Sequence, residues 1–125
     1  MLKSLMLLVN PYSGKGKAKD ALYYITSLFW QNGYAPTVYF AGGENSVSSL
    51  AREFAGRYDM IVCVGGDGTL SDAVTGLMEV DSPPPVGYIP MGTANDMATT
   101  LDLSHDPYEA ALDIMQGKAV PLDIG

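Results

Sequence analysis

Three short clusters hold most of the chain's chemistry: Asn10-Pro11-Tyr12-Ser13-Gly14, Gly65-Gly66-Asp67-Gly68-Thr69 and Gly92-Thr93-Ala94-Asn95-Asp96. Each combines glycine with oxygen-bearing side chains, and the second and third carry an aspartate. Ile61-Val62-Cys63-Val64, just before the central cluster, is an apolar run that predicts a buried strand ending at the glycines. Leu70, Ala73, Val74 and Leu77 after it recur at helical spacing. A strand that turns abruptly into a helix aims backbone N–H groups and the positive end of a helix dipole at one spot, which suits an anion. Glycine lets the anion come close, because no Cβ stands between it and the backbone. The expectation is a nucleotide phosphate chain lying against residues 65–69.

Two better-known phosphate motifs are absent. A Walker A loop needs G-x-x-x-x-G-K-[ST], and neither 14–17 nor 65–69 supplies it. The dinucleotide fingerprint needs glycine or alanine three positions after Gly16, where Lys19 stands. Hydride chemistry on a nicotinamide cofactor is therefore poorly supported.

The elements that must position these clusters alternate strictly. Strands are expected over Ser4 to Val9, Ala35 to Phe40, Met60 to Val64, Val86 to Ile89 and Ala119 to Ile124, where Pro121 suits an edge or a first residue. Ala18, Ala21, Leu22, Ile25 and Phe29 mark a first helix closed by Gly33 as a left-handed cap. Val47, Leu50, Ala51 and Phe54 mark a second, and a short helical turn is expected over Asp96 to Leu101. Asp106-Pro107-Tyr108-Glu109 is a strong helix start, with Asp as N-cap, Pro first and Glu third, and Gly117 stops that helix. Pro83-Pro84-Pro85 is a rigid link that cannot be helix. This alternation predicts an α/β fold of three layers, a Rossmann-like, mostly parallel sheet with helices on both faces. Ligands of such sheets bind at the carboxyl ends of the strands, so loops 10–16, 65–69 and 92–96 should share one rim.

Composition narrows the function classes. At 125 residues the chain suits one domain, and 47% hydrophobic against 17% charged residues excludes general disorder. A net charge of −7 argues against a nucleic-acid partner and against broad adhesion to anionic lipid. Cys63 stands alone, which excludes an internal disulfide and reads as a small buried hydrophobe. The apolar opening runs straight into a turn, and no run approaches the ~20 apolar residues of a membrane span, so a cytoplasmic location is expected.

Taken together, the three clusters closely resemble the diacylglycerol kinase catalytic domain family of lipid kinases, which includes diacylglycerol, sphingosine and ceramide kinases and bacterial relatives. The resemblance covers essentially the whole chain. NAD kinases and phosphofructokinases share the Gly-Gly-Asp-Gly turn, but Tyr88-Ile89-Pro90-Met91-Gly92-Thr93-Ala94-Asn95-Asp96-Met97-Ala98 looks like the lipid-kinase version. The resemblance implies an N-terminal nucleotide-binding domain over residues 1–125, with ATP in a cleft shared with a second domain. Gly65, Gly66, Asp67, Gly68, Thr69, Leu70, Ser71 and Asp72 would wrap the phosphates. Asn10, Pro11, Tyr12, Ser13 and Gly14 would border the nucleotide, with Thr93 and Asn95 close to it. Asp67, Asp96 and Asp123 match acidic positions that hold Mg2+ through water, and Asp67 is also the catalytic candidate. Oxygen donors at a rim, together with phosphate oxygens, suit that ion.

The implied reaction transfers the γ-phosphoryl of ATP to a lipid hydroxyl, with diacylglycerol the favoured acceptor. The β-rich C-terminal domain that carries the general base and the lipid pocket in the family would follow Gly125, so the chain alone is expected to be inactive. A whole enzyme would touch the membrane transiently, as a peripheral protein. The alternatives are an NAD kinase-like small-molecule kinase, or a non-catalytic domain that binds a nucleotide or a partner. There are departures from the pattern. Ser71-Asp72 replaces a common Asn-Glu pair, Ala41 stands where a nucleotide-contacting threonine is usual, and Thr99 replaces an arginine.

Blander readings exist for each residue. Asp67 would serve as a turn aspartate bonding its own backbone, Asp96 as an N-cap, and Asp123 in a structural or solvated role. Lys15 and Lys17 either steer phosphate or are simply solvated. Tyr23, Tyr24 and Trp30 read as packing or surface residues, and His105 receives no role.

Overall fold

The computed structural model describes residues 2–12, 16–91 and 106–121. Within them run β1 (Lys3–Val9), α1 (Lys17–Gln31), β2 (Tyr34–Phe40), α2 (Val47–Phe54), β3 (Met60–Gly65), α3 (Asp67–Leu77), β4 (Val86–Pro90) and α4 (Pro107–Met115). One 3-10 turn, Ala55–Arg57, follows α2 directly. The strands form a single sheet in the order β2-β1-β3-β4, with every neighbouring pair parallel. No helix among the described residues is long and apolar enough to cross a membrane.

The central strands are apolar throughout because both of their faces are covered. Leu5 to Val9 and Ile61 to Val64 have no exposed surface, and their side chains divide with period two. Met6, Leu8, Ile61, Cys63, Val86 and Tyr88 face α2 and α3, packing on residues such as Leu50, Ala73, Val74 and Leu77. Leu5, Leu7, Val9, Val62, Val64 and Ile89 face α1 and α4, packing on Ile25, Leu28, Phe29, Ala111 and Ile114. Three layers result, as the alternation predicts. Burial pushes the Cys63 thiol up to about 12, which makes it core rather than nucleophile.

The ends of the elements follow local chemistry. Gly33 sits at φ 91° after α1, donating to the Trp30 carbonyl, as a left-handed cap should. At α4 the Asp106 side chain accepts from the Glu109 N–H at 3.1 Å, with Pro107 in the first turn. α2 has an N-cap that the sequence reading does not identify, Ser46, whose hydroxyl accepts from the Ser49 N–H. The expected fifth strand is only partly described. Residues 119–121 form no regular strand, although the Val120 N–H donates to the Val86 carbonyl at 2.7 Å, and residues 122–124 lie outside the described residues. The helical turn expected over 96–101 also lies outside them.

Candidate nucleotide site at the carboxyl rim

The four strands end together. Ala41 N–H donates to the Val9 carbonyl at 2.9 Å, Asn10 N–H to Val64 at 3.0 Å and Met91 N–H to Gly65 at 2.8 Å, each carrying the ladder one residue past a strand. The chain therefore leaves β1, β2, β3 and β4 along one edge. Of the loops 10–16, 65–69 and 92–96 expected on one rim, residues 10–12 and 65–69 are there, whereas 13–15 and 92–96 lie outside the described residues. At the opposite edge, Ser4 and Asp59 fasten β1 to the entry of β3. The Ser4 N–H and hydroxyl both donate to Asp59 Oδ2, and the Asp59 N–H donates back to Ser4 Oγ.

β1 and β3 are neighbours, yet the helices that follow them go to opposite faces, α1 to one and α3 to the other. That divergence opens a crevice at the carboxyl ends of the two strands, the position where ligands of open α/β sheets bind. Asn10 and Asp67 stand on its two sides. The Asn10 side chain accepts from the Tyr12 N–H at 3.1 Å, which folds the start of the loop back into an Asx turn. Pro11 is half-buried in this turn and Tyr12 projects into solvent.

Where the sequence suggests a turn over 65–69, the connection is a single residue. Gly65 is the last residue of β3, Gly66 is extended, and Asp67 already begins α3. Gly66 has no side chain with which to cap the helix, and the first helical bond runs from the Leu70 N–H to the Gly66 carbonyl. The amides of Gly68 and Thr69 thus have no partner within the helix and point with its dipole toward the rim.

The glycines here have different reasons to be glycine. A Cβ on Gly65 would sit 2.5 Å from Thr69 Oγ1, so the first turn of α3 packs directly on the end of its own strand. A Cβ on Gly68 would meet nothing among the described residues, although glycine costs a helix about 0.5–1 kcal/mol relative to alanine. No described neighbour requires a glycine at 68.

Asp67 is half-buried and accepts a hydrogen bond at 3.0 Å from the hydroxyl of Tyr88, on β4. Burial first, then the Asp67 carboxylate, push the Tyr88 phenol far above its ordinary value, so it remains the donor. The sequence reading gives Tyr88 no role; the signal was a phenol in a strand that is otherwise apolar.

The remaining candidates divide clearly. Thr69 is buried against Gly65, while Ser71 and Asp72 are exposed on α3. Leu70 is fully buried in the core beneath α3, and its N–H donates to the Gly66 carbonyl. Ala41 closes the end of β2 and is buried. Ser13, Gly14, Lys15, Thr93, Asn95, Asp96, Thr99, His105 and Asp123 lie outside the described residues. Among the described residues, no three His, Cys, Asp or Glu side chains gather closely enough to hold a metal.

Comparison with known proteins gives a consistent result. Residues 4–125 match the family model described as the diacylglycerol kinase catalytic domain. The chain is 36% identical over 126 residues to a diacylglycerol kinase of Bacillus subtilis (strain 168), covering 99% of this chain and 42% of that protein. It is 35% identical to one from Staphylococcus carnosus (strain TM300), covering 100% of this chain and 41% of that protein. A crystal structure of a diacylglycerol kinase from Bacillus anthracis str. Sterne superposes with a TM-score of 0.82 at 28% identity, over 93% of this chain and 40% of that one. The chain thus spans about two fifths of the length of these relatives.

Proposed function

This chain belongs to the diacylglycerol kinase catalytic domain family, and from that premise we propose that it is the ATP-binding part of a lipid kinase. The reaction is transfer of the γ-phosphoryl of ATP to a lipid hydroxyl, with diacylglycerol as acceptor. One observation carries the reading. The start of α3 offers amides that its N-cap residue does not cap and a Gly68 that no described residue crowds, at the crevice between β1 and β3, with the Asp67 carboxylate beside them.

The chemistry of the donors fits a magnesium nucleotide. The described groups at the rim are oxygens and amides, and the one thiol is locked in the core, so a hard cation suits the site better than a soft one. Asp67 would hold Mg2+ through water, with Asp96 and Asp123 as further acidic candidates, and the ion would offset charge on the transferred group. The amides of Gly68 and Thr69 bind and orient the phosphates, and the packed β3–α3 junction keeps them aimed. The base that accepts the hydroxyl proton and the pocket for the lipid belong, on this proposal, to the length of the relatives that this chain does not cover. Contact with the membrane surface belongs there too.

Two measurements test this reading. Mg-ATP should raise the thermal midpoint of the chain in proportion to RT ln(1 + [L]/Kd), and the rise should shrink when magnesium is withheld. The same protein incubated with ATP and diacylglycerol should show no turnover. Sustained lipid phosphorylation would overturn the division of labour, and absence of any ATP-induced stabilisation would overturn the nucleotide site. Offering NAD in place of diacylglycerol, to a form carrying the remaining length of the relatives, separates the lipid kinase from an NAD kinase.

Gly68→Ala is the most selective probe of the phosphate position. Alanine fits a helical turn and meets no described neighbour, so stability without nucleotide should hold or rise by up to about 1 kcal/mol. ATP affinity should fall about tenfold, because the new methyl takes the space in which phosphate approaches the backbone. Unchanged ATP stabilisation in this variant would remove the phosphates from Gly68.

A further inference from the structure

The geometry points to Tyr88 as a positioning residue, whose hydroxyl fixes the Asp67 carboxylate in the orientation that receives the magnesium-bound nucleotide. This inference rests on the nucleotide reading above and deepens it. Tyr88 is 1% exposed and lies on the sheet face covered by α2 and α3. A phenol at such a place costs free energy unless its hydroxyl finds a partner, whereas phenylalanine, leucine or isoleucine would fill the space without that requirement. The partner it finds is Asp67 Oδ1, at 3.0 Å.

The bond joins two strand ends. Asp67 is the first residue of α3, two residues after the last residue of β3, and Tyr88 lies two residues before the end of β4. β3 and β4 are adjacent, with Cys63 opposite Tyr88 and Gly65 opposite Pro90. The phenol thus reaches from inside the sheet to the rim and fixes one oxygen of the Asp67 carboxylate, Oδ1, toward β4. Partners that orient a metal-binding carboxylate typically affect metal affinity about 10–100-fold when removed. A water-mediated contact belongs at the low end of that range.

The test is Tyr88→Phe in this chain, which keeps the ring and removes the hydroxyl. The readout is the magnesium concentration that gives half of the full ATP-induced thermal shift. It should rise about tenfold, while ATP stabilisation without magnesium stays within about twofold of wild type. In an Asp67→Asn background the same substitution should leave the magnesium response unchanged, because the two residues act as one unit. Should the phenylalanine variant fail to fold, Tyr88→Met fills the site with an adaptable apolar side chain and is read the same way. A purely structural tyrosine predicts a lower midpoint without nucleotide and a wild-type magnesium requirement, and that result overturns the inference. If the wild-type chain itself shows ATP stabilisation with no magnesium dependence, the metal reading falls first and this inference with it. A magnesium-dependent wild type with an indifferent Tyr88→Phe sinks only the role of Tyr88.

Discussion

Replacing Asp67 with alanine is expected to erase the magnesium-dependent part of ATP binding and, separately, to destabilise the chain without nucleotide. The first effect follows from removing the described carboxylate on the crevice between β1 and β3. Ligand at a hundredfold over its Kd stabilises by about 2.7 kcal/mol, and the magnesium-dependent share of that should vanish. The second follows from Tyr88, whose buried hydroxyl loses its acceptor at a cost of about 1–3 kcal/mol. Loss of a negative charge from the first turn of α3 adds a few tenths, ~0.3–1 kcal/mol. Asp67→Asn separates these contributions. An amide oxygen still accepts from the phenol, so thermal stability should stay much closer to wild type while the magnesium response is lost. An asparagine variant with a wild-type magnesium requirement would remove Asp67 from the site.

Gly76→Ala should produce the largest loss of stability of any glycine-to-alanine change among the described residues. Gly76 lies on the inner side of α3, where a Cβ would come within 3.0 Å of the Ser48 Cα and carbonyl carbon, and closer still to its oxygen. The obstacle is backbone, in the first turn of a helix whose N-cap Ser46 is already fixed by its bond to Ser49. No side chain can rotate out of the way, so α2 and α3 must separate. Overpacking of this kind costs about 1–3 kcal/mol, and an immovable neighbour puts the expectation near 3. Urea unfolding should show a lower midpoint with an unchanged slope. A loss below about 1 kcal/mol would mean that the two helices slide past each other, which their fit on the sheet argues against. Gly76 and Gly68 lie on one helix with opposite expected outcomes, so the pair reports on interior fit and outside access separately.

What could be read from the sequence follows from how local the determining interactions are. β1 and β3 were legible because strands buried on both faces must be apolar almost without interruption, as Leu5 to Val9 and Ile61 to Val64 are. The start of α4 was legible because Asp106, Pro107 and Glu109 act within one turn. The helical spacing in the sequence starts at Leu70, three residues after α3 itself begins at Asp67. Gly66-Asp67-Gly68 has the composition of a turn, and only the burial of Thr69 and Leu70 against the end of β3 draws it into the helix. Two pairs were beyond reach, Tyr88 with Asp67 and Ser4 with Asp59, because their partners lie 21 and 55 positions apart. Strand order makes those residues neighbours, and no periodicity along the chain encodes it.

The single extended residue between β3 and α3 has a consequence for how the molecule moves. A phosphate grip carried on a long flexible loop can breathe while the body of the protein stays intact. The grip proposed here is the first turn of a helix joined by Gly66 to a strand with no exposed surface from Ile61 to Val64. It has no slack of its own, so opening it means disturbing the middle of the sheet. On the proposed function, a nucleotide arriving at this junction would meet a surface set during folding, and little ordering entropy would remain to be lost on that side when it docks.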